Sequence, residues 1–201
     1  MSLPKAGVEK LAAYAELLVK WNRGMNLISR RDIDRLVPRH LLDSLTGAEW
    51  VVGAKILDIG TGPGLPGIPL AIAHEDKAFT LCDRMAKRLR FLQVAINELN
   101  LSNVALEEKN IAVNDVVAEG FDTIVARGVA QTKQLWPVVK PYLNPGGRVI
   151  VYSHVAQEQH ALAGAEPSKE SQSHPEYLME EVAHQLPGLA QAHYLQILTA
   201  A

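Results

Sequence analysis

A glycine- and proline-rich loop, Gly60-Thr61-Gly62-Pro63-Gly64-Leu65-Pro66-Gly67, follows directly on the short apolar run from Lys55 to Ile59. Glycine at the end of a first strand removes the side chains that would keep a ligand away from the backbone. Two ligand classes use such a turn. A dinucleotide sets its pyrophosphate on the amides of the following helix, usually at a G-x-G-x-x-G pattern. S-adenosyl-L-methionine carries no phosphate, so its loop needs room more than anion-binding amides. Gly62, Gly64 and Gly67 fit the dinucleotide spacing literally, and Asp83 stands about 20 residues on, where a ribose-binding acid belongs. The frame counted from the strand disagrees. The first glycine after Asp58 is Gly60, which puts Leu65 where the third glycine should be. Pro63 and Pro66 also lack the amide hydrogens that a pyrophosphate would need. The loop points to S-adenosyl-L-methionine, with a dinucleotide or no ligand as the readings left open. Asp58, Gly60, Gly62 and Gly64 then border the cofactor. Asp83 takes the ribose hydroxyls, or caps the helix that begins near Met85, or both.

These residues need a scaffold, and the apolar periodicity supplies one. Val8, Leu11, Ala12, Ala15, Leu18 and Val19 recur at helical spacing, which Trp21, Asn22 and Gly24 interrupt. Asp32 is placed to cap a second helix, with Leu36, Val37, His40, Leu41 and Leu45 on one face. From Ala54 the rhythm changes to short apolar runs: Lys55 to Ile59, Ala78 to Cys82, Asn103 to Leu106, Phe121 to Val125 and Arg148 to Tyr152. Helices are expected between them at Pro66 to Ala73, Met85 to Asn100 and Gln131 to Tyr142. Asn144-Pro145-Gly146-Gly147 reads as a turn. Short apolar strands alternating with helices imply a parallel sheet covered on both faces. Residues 155–175 read as a helix and then a mobile loop, and Tyr177 to Gln185 with His193 to Leu198 as a final hairpin. The expected fold is α/β: a Rossmann-like, mostly parallel sheet with a C-terminal antiparallel hairpin. A helical extension, 1–50, precedes the catalytic domain, 51–201.

Composition narrows the class. The 201 residues suit one domain with a modest extension, and 48% apolar residues can build a core at that size. A formal net charge of -2 gives no global attraction to nucleic acid, so any RNA contact must use a local basic patch. Cys82 is the single cysteine, which excludes an internal disulfide. His154, His160, His174, His184 and His193 lack metal-ligand spacing, and no metal is expected. Neither a secretory signal nor a bilayer-length apolar run is evident, which suggests a soluble cytoplasmic protein with no membrane partner.

Three stretches resemble the glucose-inhibited-division B family, methyltransferases that modify N7 of a guanine in small-subunit ribosomal RNA. The first is Trp21-Asn22-Arg23-Gly24-Met25-Asn26-Leu27 followed by Arg39-His40-Leu41-Leu42-Asp43-Ser44. The second runs from Leu57 through the glycine loop to Leu70. The third is Lys87-Arg88 with Phe91-Leu92, then Phe121-Asp122 and Ala126-Arg127. The resemblance spans about residue 10 to residue 150. It implies a cofactor pocket of Gly60, Leu65, Asp83, the backbone near Ile111 and Ala112, and Arg127. It also implies a polar cluster near the transferred methyl made by Asn26, His40, Lys87 and Arg127, and a monomer. The sequence departs from the family at Asn110, where a further arginine is common, and at Ala112, where an acid is common. It departs again at Tyr152-Ser153-His154, where strand five usually ends in Lys-Gly.

The implied chemistry is an in-line displacement at a sulfonium methyl. Guanine N7 has a free lone pair, so no general base is needed, and alignment does most of the work. Positive charge moves onto the guanine, so an arginine over the base would oppose the reaction. Arg127 is expected to hold a phosphate or the cofactor carboxylate. Arg23, Arg30, Arg31, Arg35 and Arg39 in the extension, with Lys87, Arg88 and Arg90, form a set suited to the phosphates of ribosomal RNA or the assembled small subunit. Competing readings are a methyltransferase for a small molecule and a non-catalytic, cofactor-binding ribosome assembly factor.

Overall fold

A computed structural model describes residues 3–112, 119–153, 170–174 and 176–201. The chain opens with α1 (Lys5–Met25), which buries Leu11, Tyr14 and Leu18. This helix runs through Trp21, Asn22 and Gly24, where an interruption is expected from the sequence. Asn22 does not break the helix because its side chain faces inward and accepts the Ile28 N–H at 3.0 Å. The helix ends at Asn26, in the left-handed region with φ 48.

The second helical segment is irregular. A 3₁₀ turn (Arg30–Arg35) leads to a π-helical turn (Val37–Leu42) and then to a short α2 (Asp43–Thr46). Ser29, not Asp32, caps it: Ser29 Oγ accepts the Arg31 N–H. The Asp32 carboxylate instead pairs with Arg35 and Arg39. Because neither turn type repeats every 3.6 residues, the expected single apolar face does not form. Leu36 and Leu41 are buried, whereas Val37 is exposed.

A sheet follows. β1 (Lys55–Ile59), α3 (Gly67–Ala73), β2 (Ala78–Asp83), α4 (Ala86–Glu98), β3 (Val104–Glu108), β4 (Phe121–Arg127), α5 (Thr132–Val139) and β5 (Leu143–Ser153) form the parallel part. β6 (Glu170–His174), β7 (Tyr177–His184) and β8 (His193–Ala200) are antiparallel. Among the described residues the strand order is β3-β2-β1-β4-β5-β8-β7-β6. Order reverses between β1 and β4, so their C-terminal ends open a crevice, the usual ligand position in such sheets.

Three local expectations change. Asn144 to Gly147 lies within β5 as an irregularity: β4 pairs Phe121 with Leu143 and then Thr123 with Arg148, and Asp122 accepts the Asn144 amide at 2.8 Å. α5 stops at Val139, and a 3₁₀ turn carries the chain to Tyr142. Residues 170–174, read as loop, form β6 beside β7, because β7 offers a free edge for pairing. The rest of the expected helix and loop at 155–175 lies outside the described residues.

α1 is not a loose appendage. Leu11, Tyr14 and Leu18 share one apolar core with Leu65, Ile68 and Leu92. On the opposite face Trp136 and Val139 of α5 pack against Leu57, Ile124 and Val149. The two layers meet opposite faces of β2, through Leu81 and Cys82, and the loop after β1 is tied to α1.

Candidate active site

The loop is built outward from Asp58, which is wholly buried on β1. One carboxylate oxygen, Oδ2, accepts the Thr61 hydroxyl at 2.6 Å and the Gly67 N–H at 2.8 Å. Thr61 N–H donates to Cys82 O, which ties the loop to the end of β2. Tyr14 of α1 donates its hydroxyl to Pro63 O at 2.6 Å. Gly64, at φ 98, could not carry a Cβ without meeting Ile68 Cγ1 at 2.6 Å and Leu92 Cδ2 at 2.7 Å. Gly60 differs. It is exposed, at φ 63, and only Val129 Cγ2 at 2.9 Å stands near its absent Cβ. Gly64 therefore serves packing, while Gly60 offers open backbone at the crevice. Leu65 is buried against the first core.

Asp83 closes β2. Its Oδ2 accepts the Gly62 N–H at 2.9 Å and Arg88 Nη1 at 3.1 Å, and its Oδ1 accepts the Met85 N–H at 2.9 Å. Met85, not Asp83, holds the cap position of α4, so Asp83 shapes the approach to the helix without capping it. Lys109 N–H donates to Asp83 O at the end of β3. Ile111 and Ala112 lie just beyond, the first half-buried and the second exposed.

Arg127, at the end of β4, is the hub of a polar chain. Its Nη1 donates to Asp43 Oδ2 at 3.2 Å and its Nη2 lies 3.1 Å from His40 Nδ1. Asp43 Oδ1 lies 2.7 Å from His193 Nδ1 on β8. Beside it, Tyr152 donates its hydroxyl to Ser44 O at 2.7 Å. Burial, then the Arg127 charge, push the His40 imidazole down to about 4. His40 is neutral at pH 7, and Arg127 can donate only to a lone pair, so Nδ1 is bare and the proton sits on Nε2. Asn26 and Lys87 stand apart: Asn26 caps α1 and is exposed, and Lys87 is exposed on α4. Among the described residues no hydrogen bond or ion pair joins their side chains to Arg127.

The site fits a nucleoside sulfonium that carries an amino-acid chain with free ammonium and carboxylate groups. Burial pushes the Asp58 carboxyl up to about 7, and its second oxygen, Oδ1, is buried without a hydrogen-bond partner. An ammonium donor satisfies that oxygen and restores the charge. Asp83, set at the end of β2, is an acceptor for hydroxyls, and Arg127 retains guanidinium N–H groups beyond those given to Asp43 and His40.

Sequence reasoning missed Asp43, His193 and Tyr152 as members of this cluster. Asp43 carried a faint signal, a lone carboxylate between Leu42 and Ser44-Leu45 in an apolar helix. His193 carried none.

The fold is shared with known enzymes. A precorrin-6y C5,15-methyltransferase from Geobacter metallireducens superposes with a TM-score of 0.53 at 14% identity, covering 87% of this chain and 91% of that one. A glycopeptide N-methyltransferase complexed with S-adenosyl-L-homocysteine gives 0.51 at 15% identity, covering 79% and 71%. Closer in sequence are proteins named ribosomal RNA small subunit methyltransferase G. The one from Methylococcus capsulatus is 42% identical over 81% of this chain and 74% of its own length. That from Vibrio cholerae is 36% identical over 95% and 87%. Sheet order, glycine loop and relatives together define an S-adenosyl-L-methionine-dependent methyltransferase. A family profile described as rRNA small subunit methyltransferase G matches residues 7–185. The chain belongs to that family.

Proposed function

We propose that the protein transfers the methyl group of S-adenosyl-L-methionine to N7 of a guanine in small-subunit ribosomal RNA, as a cytoplasmic monomer. The observation that carries this is the junction of the Asp58–Gly67 loop with Arg127 at the ends of β1 and β4, directly under the arginine-bearing extension. The names of the relatives support the RNA as substrate.

Held there by Asp58, Asp83 and Arg127, the cofactor would supply an electrophilic methyl carbon for the N7 lone pair. No proton leaves N7, so the site needs no base. Asp58 Oδ1 holds the ammonium group, with Gly60, Gly62, Gly64 and Leu65 bounding the methionine end. Asp83 holds the ribose hydroxyls, and Ile111 with Ala112 flanks the adenine. Arg127 holds the cofactor carboxylate or a phosphate. Neutral His40 orients Arg127, and the exposed Asn26 and Lys87 are offered to the RNA. The domain 51–201 thus performs the transfer, and the extension 1–50 receives the RNA.

The cations divide by what they already touch. Arg35, Arg39 and Arg88 are committed to carboxylates. Arg23, Arg30, Arg31, Lys87 and Arg90 are exposed and enter no ion pair among the described residues. These five are the phosphate contacts.

Methyl transfer from labelled cofactor to small subunits taken from cells lacking the enzyme tests the reading. Wild type labels the RNA, and Gly60→Asp and Arg127→Ala do not. Cofactor binding without transfer to the subunit would instead favour another acceptor or a non-catalytic role.

A further inference from the structure

The cluster around Arg127 poses an electrostatic problem. A guanidinium at the crevice would repel a sulfonium, and would repel a guanine that becomes cationic on methylation. His40 adds no charge at neutral pH. Asp83 is already matched by Arg88 at 3.1 Å. Resting on the cofactor seating proposed above, Asp58 answers the ammonium and Arg127 the carboxylate. Arg127 then faces two carboxylates, that of the cofactor and that of Asp43 at 3.2 Å, which leaves one negative charge to set against the sulfonium.

We infer that Asp43 is a charge-compensating residue, which cancels Arg127 and so lets this site accept a cationic cofactor in preference to its neutral product. Asp43 is 3% exposed, bonds Arg127 through one oxygen and meets His193 through the other. Both oxygens are held, so the carboxylate cannot rotate away from the guanidinium. Burial keeps water from screening the Asp43–Arg127 pair. The three elements that hold the pair, α2, β4 and β8, converge from distant parts of the chain.

S-adenosyl-L-methionine and S-adenosyl-L-homocysteine differ by one methyl and one charge; the methyl is common to every variant, so the change in their affinity ratio from wild type to variant reads the charge. Calorimetric binding of both, with thermal melts, is compared for wild type, Asp43→Asn, Arg127→Met and the double variant. Asp43→Asn preserves shape and weakens the cationic ligand by about fivefold relative to the neutral one. Arg127→Met shifts the ratio the other way, although both ligands weaken if Arg127 holds their common carboxylate. The double variant returns the ratio towards wild type. If Asp43→Asn does not fold, the shift in Arg127→Met alone decides. Wild-type protein that binds neither ligand would sink the cofactor seating itself. Binding of both ligands with a ratio unmoved by either single change would show that Asp43 is only structural, and would overturn the inference.

Discussion

Asp58 and Gly67 are joined by a 2.8 Å hydrogen bond from the Gly67 N–H to Asp58 Oδ2, and a Cβ at Gly67 would stand 2.5 Å from that same oxygen. The end of β1 and the start of α3 therefore meet at one carboxylate, with no space for a side chain. It also explains why two glycines of one loop should respond differently to change.

Gly67→Ala overlaps Leu81 Cδ2 as well as the carboxylate. It should destabilise the fold by about 1–3 kcal/mol, the range for overpacking a tight core. Gly60→Ala costs about 1–2 kcal/mol for its left-handed backbone. Its main effect should be lost cofactor affinity, since Gly60 is open at the crevice. Urea denaturation and calorimetry on both variants separate these effects, and equal loss of affinity per unit of stability would contradict the distinction.

Two buried groups give opposing pH dependence. Asp58 rises to about 7 on folding, mainly through burial. Between about pH 4 and 7 the native state then holds a proton that the unfolded state has released, so stability falls as pH rises through that window. His40 falls to about 4, mainly through burial. Between about 6.5 and 4 the unfolded state binds the extra proton, so stability falls as pH falls. Asp58→Asn should make stability climb more steeply from pH 4 to 7, by up to about 1.4 kcal/mol per pH unit. His40→Gln should flatten the loss on the acid side. Parallel stability curves for wild type and both variants across pH 4 to 8 would refute both assignments.

Tyr14 carries its hydroxyl to Pro63 O at 2.6 Å and is fully buried. Tyr14→Phe leaves that carbonyl unpaired and should cost about 1–2 kcal/mol. Because Pro63 lies in the loop, KM for the cofactor should rise while kcat with saturating cofactor holds. A fall in kcat alone, with KM unchanged, would argue against α1 as a support of the loop.

Arg30 and Arg31 are exposed and unpaired among the described residues. Arg30→Ala with Arg31→Ala should weaken binding to small-subunit RNA and reduce the slope of log K against log salt by about 1–2. Cofactor affinity should not change. An unaltered salt slope would remove this pair from the RNA surface.

Much of the architecture was legible because it is local. β1, β2 and β4 announce themselves as apolar runs, since strands buried on both faces cannot alternate. α4 shows an unbroken helical stripe, Leu89, Leu92, Ala95 and Ile96, all buried. The irregular segment from Ser29 to Leu42 was misread because 3₁₀ and π turns follow no 3.6-residue period. The helix through Asn22 was misread because propensity cannot foresee that a polar side chain will find a buried backbone donor.

The sequence alone determined the alternation of strands and helices, the glycine loop and the class of ligand it admits, all set by residues within a few positions of one another. It could not determine the company Arg127 keeps. Asp43 is 84 residues from Arg127 and 150 from His193. A carboxylate, a guanidinium and an imidazole so far apart leave no periodic trace. They meet only because β4 and β8 flank β5 in one sheet and the N-terminal segment folds back over the ends of these strands.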